Sequence, residues 1–475
     1  MQALVNLGRR AATSLVHPPF KAAAAINRTA ALSDSTSYAT TALLRRRLFL
    51  STPTHTLTTL FQPLRPFSSE PAGSSSYSTM TAFDPFNPTE EHSQLRGMIR
   101  AFVEKEVDPQ ALAFNRREEF NLTLFRKLGE LGLLGLTVSV EYGGSGMDAA
   151  AVAIVHEEIS AADPAFCLAY LAHSLLFVNN LAQNGTSAQK LKYLPKACSG
   201  EVVGGMCMSE PGAGTDVLGM NTTAVKSQDG SFYTLNGAKM WITNGTLDGE
   251  TTGDVYLVYA RTGKGPKDLS MFVVEKGTEG FGLGQKLEDK LGMRASMTAE
   301  LVFDECRVPV ENLVGKEHGA AICMMRNLEI ERVGLAAMSV GLARRCVEVM
   351  NRYAKERKAF GQSLNEFGQV QKHVAESYAE YMAGRTYLYF VANHLDLASS
   401  GNGLDADGVK LYCAKMGKEV ADRAIQVLGG YGYVGEYQVE RLWRDAKLLE
   451  IGGGTSEAHH KNMVRDLKRH HERLL

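Results

Sequence analysis

Between Met206 and Asp216 the periodicity of this chain changes, and that change limits its fold more than any other feature. Upstream, from Pro88 to about Gly200, apolar residues recur at helical spacing. Leu95, Ile99, Phe102, Val103 and Val107 share one face, and Leu122, Phe125, Leu128 and Leu131 another. Downstream the period drops to two, in short runs such as Phe232 to Leu235, Val255 to Ala260, Met271 to Val274 and Leu301 to Phe303, with Asp229-Gly230 as a hairpin turn. From Gly319 the helical period returns, in Ala320 to Tyr353, Gln369 to Leu397, Ala406 to Leu428 and Glu457 to Lys468. Two such switches predict an α+β protein: an N-terminal all-α domain over 81–205, a middle antiparallel β-sheet or barrel domain over 206–315, and a C-terminal four-helix bundle over 316–475.

The stretch at the first switch, Met206-Cys-Met-Ser-Glu-Pro-Gly-Ala-Gly-Thr215, has the makings of a ligand loop, because glycines let backbone approach a ligand and hydroxyls stand beside N–H groups. On its own it serves equally well as a turn between domains. In Lys239-Met-Trp-Ile-Thr-Asn244, Trp241 can pack as core or stack on a planar cofactor; the motif alone favours core. Tyr142-Gly-Gly-Ser-Gly146 reads as a loop, and Glu157-Glu158 as a solvent-facing pair rather than an acid/base dyad. Gly430-Tyr-Gly-Tyr-Val-Gly435 has the spacing of a dinucleotide motif but follows a helix, which removes the mechanical reason for that reading. Adjacent histidines point to different sides of a helix, so His459-His460 and His470-His471 are expected at the surface, and no metal site is expected.

Charge is unevenly spread. The first eighty residues carry eight Lys/Arg against two acids and 22 Ser/Thr, with Arg45-Arg46-Arg47 at their centre, the pattern of an organellar transit peptide. Because the whole chain sums to −1, the remainder carries −7, which argues against a nucleic-acid partner. No apolar run approaches the ~18 residues of a bilayer span, so no membrane span is expected. Seven scattered cysteines without a C-x-x-C pair suit a reducing compartment and free, mostly buried thiols.

Taken in order, five motifs resemble the acyl-CoA dehydrogenase family over about Phe83 to Leu467: Met206 to Thr215, Trp241-Ile-Thr243, Arg357-Lys-Ala-Phe-Gly361, Gln426-Val-Leu-Gly-Gly430, and Arg444-Asp-Ala-Lys with Gly454-Thr-Ser-Glu457. The resemblance implies FAD as cofactor and an acyl-CoA as substrate. Met206, Cys207, Met208, Ser209 and Thr215, with Trp241, Ile242 and Thr243, would hold the flavin ring, Ser209 bonding its edge and Thr215 reaching the CoA phosphate side. Arg357 and Phe360, with Gln426, Val427, Leu428, Gly429 and Gly430, would bind the pyrophosphate and adenosine of a FAD belonging largely to a neighbouring subunit, and Thr455, Ser456 and Glu457 complete the cofactor set. A homo-oligomer, a dimer at least and a dimer of dimers by family expectation, follows from that sharing. At Phe367-Gly368 this chain departs from the family's Phe-Gln, so one amide contact to FAD would be missing.

Dehydrogenation of a thioester requires a carboxylate to take the α-proton while hydride leaves the β-carbon. Most of the family carry that glutamate just before the final Gly-Thr, where this chain has Gly453. The isovaleryl-CoA and long-chain members supply it from a bundle helix instead, and Leu328-Glu-Ile-Glu-Arg332 is similar to the isovaleryl-type sequence there. Glu329 and Glu331 project about 200° apart on a helix, so only one faces the cavity, and the resemblance selects Glu331 as the base. Glu329 would lie nearer solvent or the CoA adenine; it, Ile330, Arg332, Thr215, Gly452, Gly453 and Gly454 are the expected substrate contacts. Gly452, where many relatives have tyrosine, leaves room for a branched acyl chain. The expectation is therefore dehydrogenation of isovaleryl-CoA in the mitochondrial matrix, with electrons passed to electron-transfer flavoprotein. A long-chain acyl-CoA dehydrogenase and a catalytically silent acyl-CoA-binding flavoprotein are the alternatives.

Overall fold

The computed structural model describes residues 84–399 and 401–469. The leader expected at 1–80 and His470-His471 lie outside the described residues.

Helices come first, as the period requires. α1 (Glu90–Phe102), capped by Thr89, runs through a π-helical turn at Val103–Val107 into α2 (Asp108–Arg117), and α3 (Leu122–Glu130) is capped by Asn121. α4 (Ala149–Ala162) starts at the Asp148 side chain, just past the Tyr142–Gly146 loop, and every one of its residues is buried. α5 (Pro164–Leu171), a π-helical stretch at Ala172–Asn179 and α6 (Asn180–Asn184) form one continuous helix. That corrects the expectation for apolar runs: Pro164–Asn184 is long and apolar enough to cross a membrane, and it is buried inside the protein. Its scattered Asn, His and Ser broke the run in the sequence; each is paired within the core. α7 (Ser187–Ser199), which the periodicity did not pick out, is opened by a reciprocal Thr186/Gln189 capping box.

β1 (Gly204–Cys207), β2 (Thr223–Lys226), β3 (Phe232–Thr243), β4 (Val255–Arg261), β5 (Leu269–Glu275), β6 (Phe281–Lys286), β7 (Thr298–Pro309) and β8 (Leu313–Val314) form one sheet in the order β6-β7-β3-β2-β4-β5-β8, with β1 beside β4. The hairpin at Asp229-Gly230 joins β2 to β3 as expected. Most pairings are antiparallel, but β1 and the end of β2 run parallel to β4, because β1 arrives from the helices rather than through a hairpin.

α8 (Ala320–Glu356) is the longest element. A small hairpin, β9 (Lys358–Ala359) with β10 (Gln362–Ser363), leads to α9 (Gly368–His394) and α10 (Gly403–Leu428), then α11 (Val439–Leu449) and α12 (Ser456–Arg469). α11 was not anticipated; Gln438, in left-handed backbone at φ 60°, starts it after the glycine-rich turn. α8 packs against α10, α9 and α4, so its middle is buried on nearly every side. Where it crosses α4, a side chain on Gly341 would stand 2.1 Å from the Glu157 carbonyl, so glycine is required there.

Glu157 and Glu158 are not solvent-facing. Both are buried in α4, and arginines from several helices surround them. Arg96 donates to Glu157 at 3.0 Å and to Glu158 at 2.6 Å, Arg385 to Glu157 at 2.9 Å, Arg344 to Glu158 at 2.7 Å, and the Tyr389 hydroxyl to Glu157 at 2.6 Å. Burial alone would push both carboxyls up; the surrounding guanidinium groups outweigh it and hold both below the usual carboxylate range.

Candidate active site

The stretch at the first period switch is anchored by a buried ion pair. The Lys239 ammonium on β3 is fully buried and donates to Glu210 at 2.9 Å and to the Met208 carbonyl at 3.1 Å. Glu210 in turn accepts from the Asn221 N–H at 2.6 Å and the Thr222 N–H at 2.9 Å, which closes the loop between them. Breaking such a pair on one side would cost about 3–5 kcal/mol, so the loop is held firmly. Ser209 is tied to β3 through its carbonyl, which accepts from the Met240 N–H at 2.9 Å, and Thr215 stands exposed. Met206 and Met208 are half-buried, whereas the Cys207 side chain points into the sheet core, so only its backbone is available to a ligand. A side chain at Gly212 or Gly214 would meet no protein atom, so the space beside them is open.

Trp241 is not core. The β3–β7 register slips between Lys239 and Ile242, Trp241 adopts φ 61°, and its indole is 54% exposed. A left-handed backbone at a bulky residue costs about 1–2 kcal/mol, and strain of this kind gathers at ligand-binding positions. The motif alone favoured core; the bulge turned the ring outward. Ile242 faces the core, and Thr243 is half-buried next to Asn244, whose side-chain amide donates to the Ala169 and Gly204 carbonyls at 3.0 and 3.2 Å.

A second group forms around the β9–β10 hairpin. Phe360 sits at its tip with φ 52° and is 97% exposed, with Gly361 at φ 85° beside it. Arg357, Tyr353, Leu428, Gly430 and Tyr431 line an open groove of about 400 Å³. The helix carrying Gln426, Val427 and Leu428 ends at Gly429, whose φ 59° and ψ −131° suit only glycine. Val427 and Leu428 are buried, leaving exposed Gln426 and the two glycines to meet a ligand. Gly368 opens α9 in free space, where a longer side chain would fit.

The third group surrounds Glu331. Its carboxyl is buried, and Oε2 has no hydrogen-bond partner among the described residues. Burial pushes the carboxyl up to about 7 despite the opposing charges of Arg332 and Lys410. A side chain added at Gly453 would begin 3.3 Å from Glu331 Oε1, so the two positions converge on one place from different elements. A side chain at Gly452 would meet only ordinary contacts with Leu448, so space remains there. Lys410, fully buried on α10, donates to the Gly454 carbonyl at 2.6 Å. On the other side of that glycine lies the His459 ring, whose Nδ1 bonds Asp407 and whose Nε2 is buried without a partner among the described residues. Arg332 Nε stands 3.3 Å from the same Asp407 carboxylate.

The structure thus brings Glu331, Arg332, Gly453 and Gly454 together, Ser209 with β3 beside Trp241, and Arg357 with Leu428 and Gly430. Asn180 ties the loop to the sheet, donating to Met206 Sδ at 3.9 Å and to the Tyr259 hydroxyl at 3.1 Å; burial, with a smaller contribution from the Glu331 charge, pushes that hydroxyl up. Glu329 departs from expectation. It is buried rather than near solvent, and its carboxylate accepts from the Gly401 and Asn402 N–H groups ahead of α10, each at 3.2 Å. Ile330 is buried core. Thr455 caps α12, Ser456 N–H bonds the Glu450 carbonyl, and Glu457 is exposed. His459, expected at the surface, is buried; only its neighbour His460 is exposed. Sequence reasoning missed Asp407, Lys410, His459, Glu210 and Lys239. Asp407 and Lys410, three apart on the apolar face of α10, could have been flagged as charges that burial must compensate.

Models of the acyl-CoA dehydrogenase N-terminal, middle and C-terminal domains match residues 89–201, 205–306 and 317–468. A mitochondrial isovaleryl-CoA dehydrogenase of Solanum tuberosum is 42% identical over 82% of this chain and 92% of its own length. A short-chain-specific acyl-CoA dehydrogenase of Clostridium acetobutylicum is 40% identical over 78% and 96%. Among solved structures, the butyryl-CoA dehydrogenase of Megasphaera elsdenii superposes with a TM-score of 0.76 at 33% identity, covering 80% of this chain and 98% of that one.

Proposed function

The chain belongs to the acyl-CoA dehydrogenase family, and from that premise we propose that it oxidises a short branched acyl-CoA, isovaleryl-CoA, to 3-methylcrotonyl-CoA in leucine breakdown. Electrons would leave to electron-transfer flavoprotein, and the mitochondrial matrix is the assigned compartment. The arginine-rich, acid-poor first eighty residues and the mitochondrial name of the Solanum tuberosum relative support that address. We divide the working chain at 81–205, 206–315 and 316–475.

FAD is the cofactor we assign. An indole turned out of a strand at Trp241 and an almost wholly exposed ring at Phe360 both fit a large flat ligand laid against them, and the open space beside Gly212 and Gly214 fits its approach. When bound, FAD supplies the acceptor for the β-hydride. Met206, Met208, Ser209, Trp241 and Thr243 would hold the ring, and Arg357, Phe360, Gln426, Gly429 and Gly430 the pyrophosphate and adenosine, in an oligomer whose subunits share the cofactor.

The observation that carries the reading is the Glu331 carboxyl: buried, with one oxygen unpartnered, in the place where most of the family put a base from the Gly453 position. A carboxylate already spent on hydrogen bonds makes a poor base, whereas this one keeps a free lone pair. With its ordinary value raised to about 7, it is part-ionised at neutral pH and strong enough to take a thioester α-proton once substrate has excluded water. The Gly453 N–H would polarise the thioester carbonyl, which acidifies that proton. Gly452 leaves the space a branched β-carbon needs.

Anaerobic mixing with a series of acyl-CoAs tests the substrate. Isovaleryl-CoA is expected to bleach the visible flavin band fastest; faster bleaching by long straight chains would overturn the assignment, and no bleaching by any of them would leave a binding protein. Glu331→Gln is expected to bind acyl-CoA yet lower the bleaching rate by at least a thousandfold. Turnover retained in that variant would remove Glu331 from the chemistry.

A further inference from the structure

Lys410 has no part in the reading above, yet it is among the most costly residues in the fold. A lysine buried to the last atom persists only where its charge is compensated. The groups facing it are Glu331 and Arg332 on α8, Asp407 on its own helix, Glu450 at the end of α11 and His459 on α12. Asp407 is already shared between His459 and Arg332. Lys410 donates to one carbonyl, that of Gly454, in the turn that also carries Gly453. Glu331 lies against that turn and has an oxygen to spare.

We infer that Lys410 is a positioning residue for the reaction at Glu331: its ammonium clamps the turn that carries Gly453, by the Gly454 carbonyl, beside the base and, through its charge, keeps the buried carboxylate available at neutral pH. The inference rests on Glu331 being the base. Two effects are combined in one group. The clamp fixes where the Gly453 N–H stands, and it acts through geometry. The charge opposes the burial that drives Glu331 toward its neutral form, and it acts on the fraction of base present. Burial in turn lowers the ammonium to about 8, despite the opposing charge of Glu331. When Glu331 takes the substrate proton, the ammonium loses one of the opposite charges that face it and keeps its hydrogen bond to the turn.

The test uses the FAD-loaded full chain and the pH dependence of the flavin-reduction rate with isovaleryl-CoA. Lys410→Met removes clamp and charge; Lys410→Gln keeps a donor and removes the charge. Both are expected to move the acid limb of the rate profile upward by one pH unit or more and to lower the rate at pH 7 at least tenfold, with KM changed less than threefold. Lys410→Arg is expected to return the limb to within a few tenths of the native position. An acid limb that stays put in Lys410→Gln, with only melting temperature lowered, would reduce Lys410 to a packing element and overturn the inference. Should Lys410→Met not fold, the Gln and Arg pair still decides. Glu331→Gln, run alongside, separates the two readings: a dead Glu331→Gln with unmoved Lys410 profiles sinks only the present inference, whereas an active Glu331→Gln sinks the base assignment itself.

Discussion

Two buried acidic sites lie on neighbouring helices, and they were built in opposite ways. Around Glu157 and Glu158 in α4, every carboxylate oxygen meets a guanidinium or a tyrosine hydroxyl, and both groups stay ionised. At Glu331 in α8, the carboxyl is also buried, one oxygen has no partner among the described residues, and its value is raised to about 7. Burial is common to both; the number of partners is not. A saturated carboxylate is a fastener, and an unsaturated one has a lone pair left for chemistry.

The largest expected effect tests the fastener. Glu158→Gln removes the charge that Arg344, Arg100 and Arg96 share and should cost about 3–5 kcal/mol in chemical denaturation. Because the native carboxyl sits below its unfolded value, the stabilisation is present at neutral pH and fades as pH falls. The loss in Glu158→Gln should therefore shrink toward acid, and a loss independent of pH would break the contrast. Glu331→Gln should behave in reverse. Its native value, near 7, lies above the unfolded one, so ionisation costs the fold roughly 3 kcal/mol at pH 8 and nothing below the unfolded value. The variant should be more stable than the parent at pH 8, with the difference shrinking as pH falls and gone by about pH 4, and a variant that is less stable across that range would contradict the unsaturated site.

Moving the carboxylate sharpens the comparison further. Glu331→Gly with Gly453→Glu places a side chain where φ is 65° and where its Cβ would meet the Leu335 methyl at 2.2 Å. The strain, about 1–3 kcal/mol, predicts no more than a few per cent of native flavin reduction, and adding Leu335→Ala should raise that figure by making room. The smallest effect is at Gly452→Ala, which has space and should change stability by less than about 0.5 kcal/mol. The ratio of isovaleryl-CoA to butyryl-CoA reduction rates should nonetheless fall several-fold.

The order of helix, sheet and helix was legible because the hydrophobic period is local. What was hidden depended on partners distant in sequence. Glu157-Glu158 reads as surface because nothing nearby announces Arg96, Arg344 and Arg385. His459 reads as surface because Asp407, which draws it inward, is half a domain away. Trp241 read as core from its motif alone, and only the resemblance turned it toward a ligand; the bulge that exposes it leaves no mark in the composition. α11 is short and amphipathic and follows a glycine-rich turn, so it passed for loop. Glu331 itself was reached only by resemblance, since the residues alone left it level with Glu329.

The close crossing at Gly341 has a mechanical consequence. α8 carries its reactive end at Glu331 and its riveted end at Arg344, about 20 Å apart along one rod. With no side chain to act as a spacer, the rod is seated directly on the α4 backbone and cannot advance like a screw without lifting off it. A slip of one turn would carry the base about 5.4 Å out of reach. Damage near the rivet should therefore be felt first as lost alignment at the far end, well before the helices come apart.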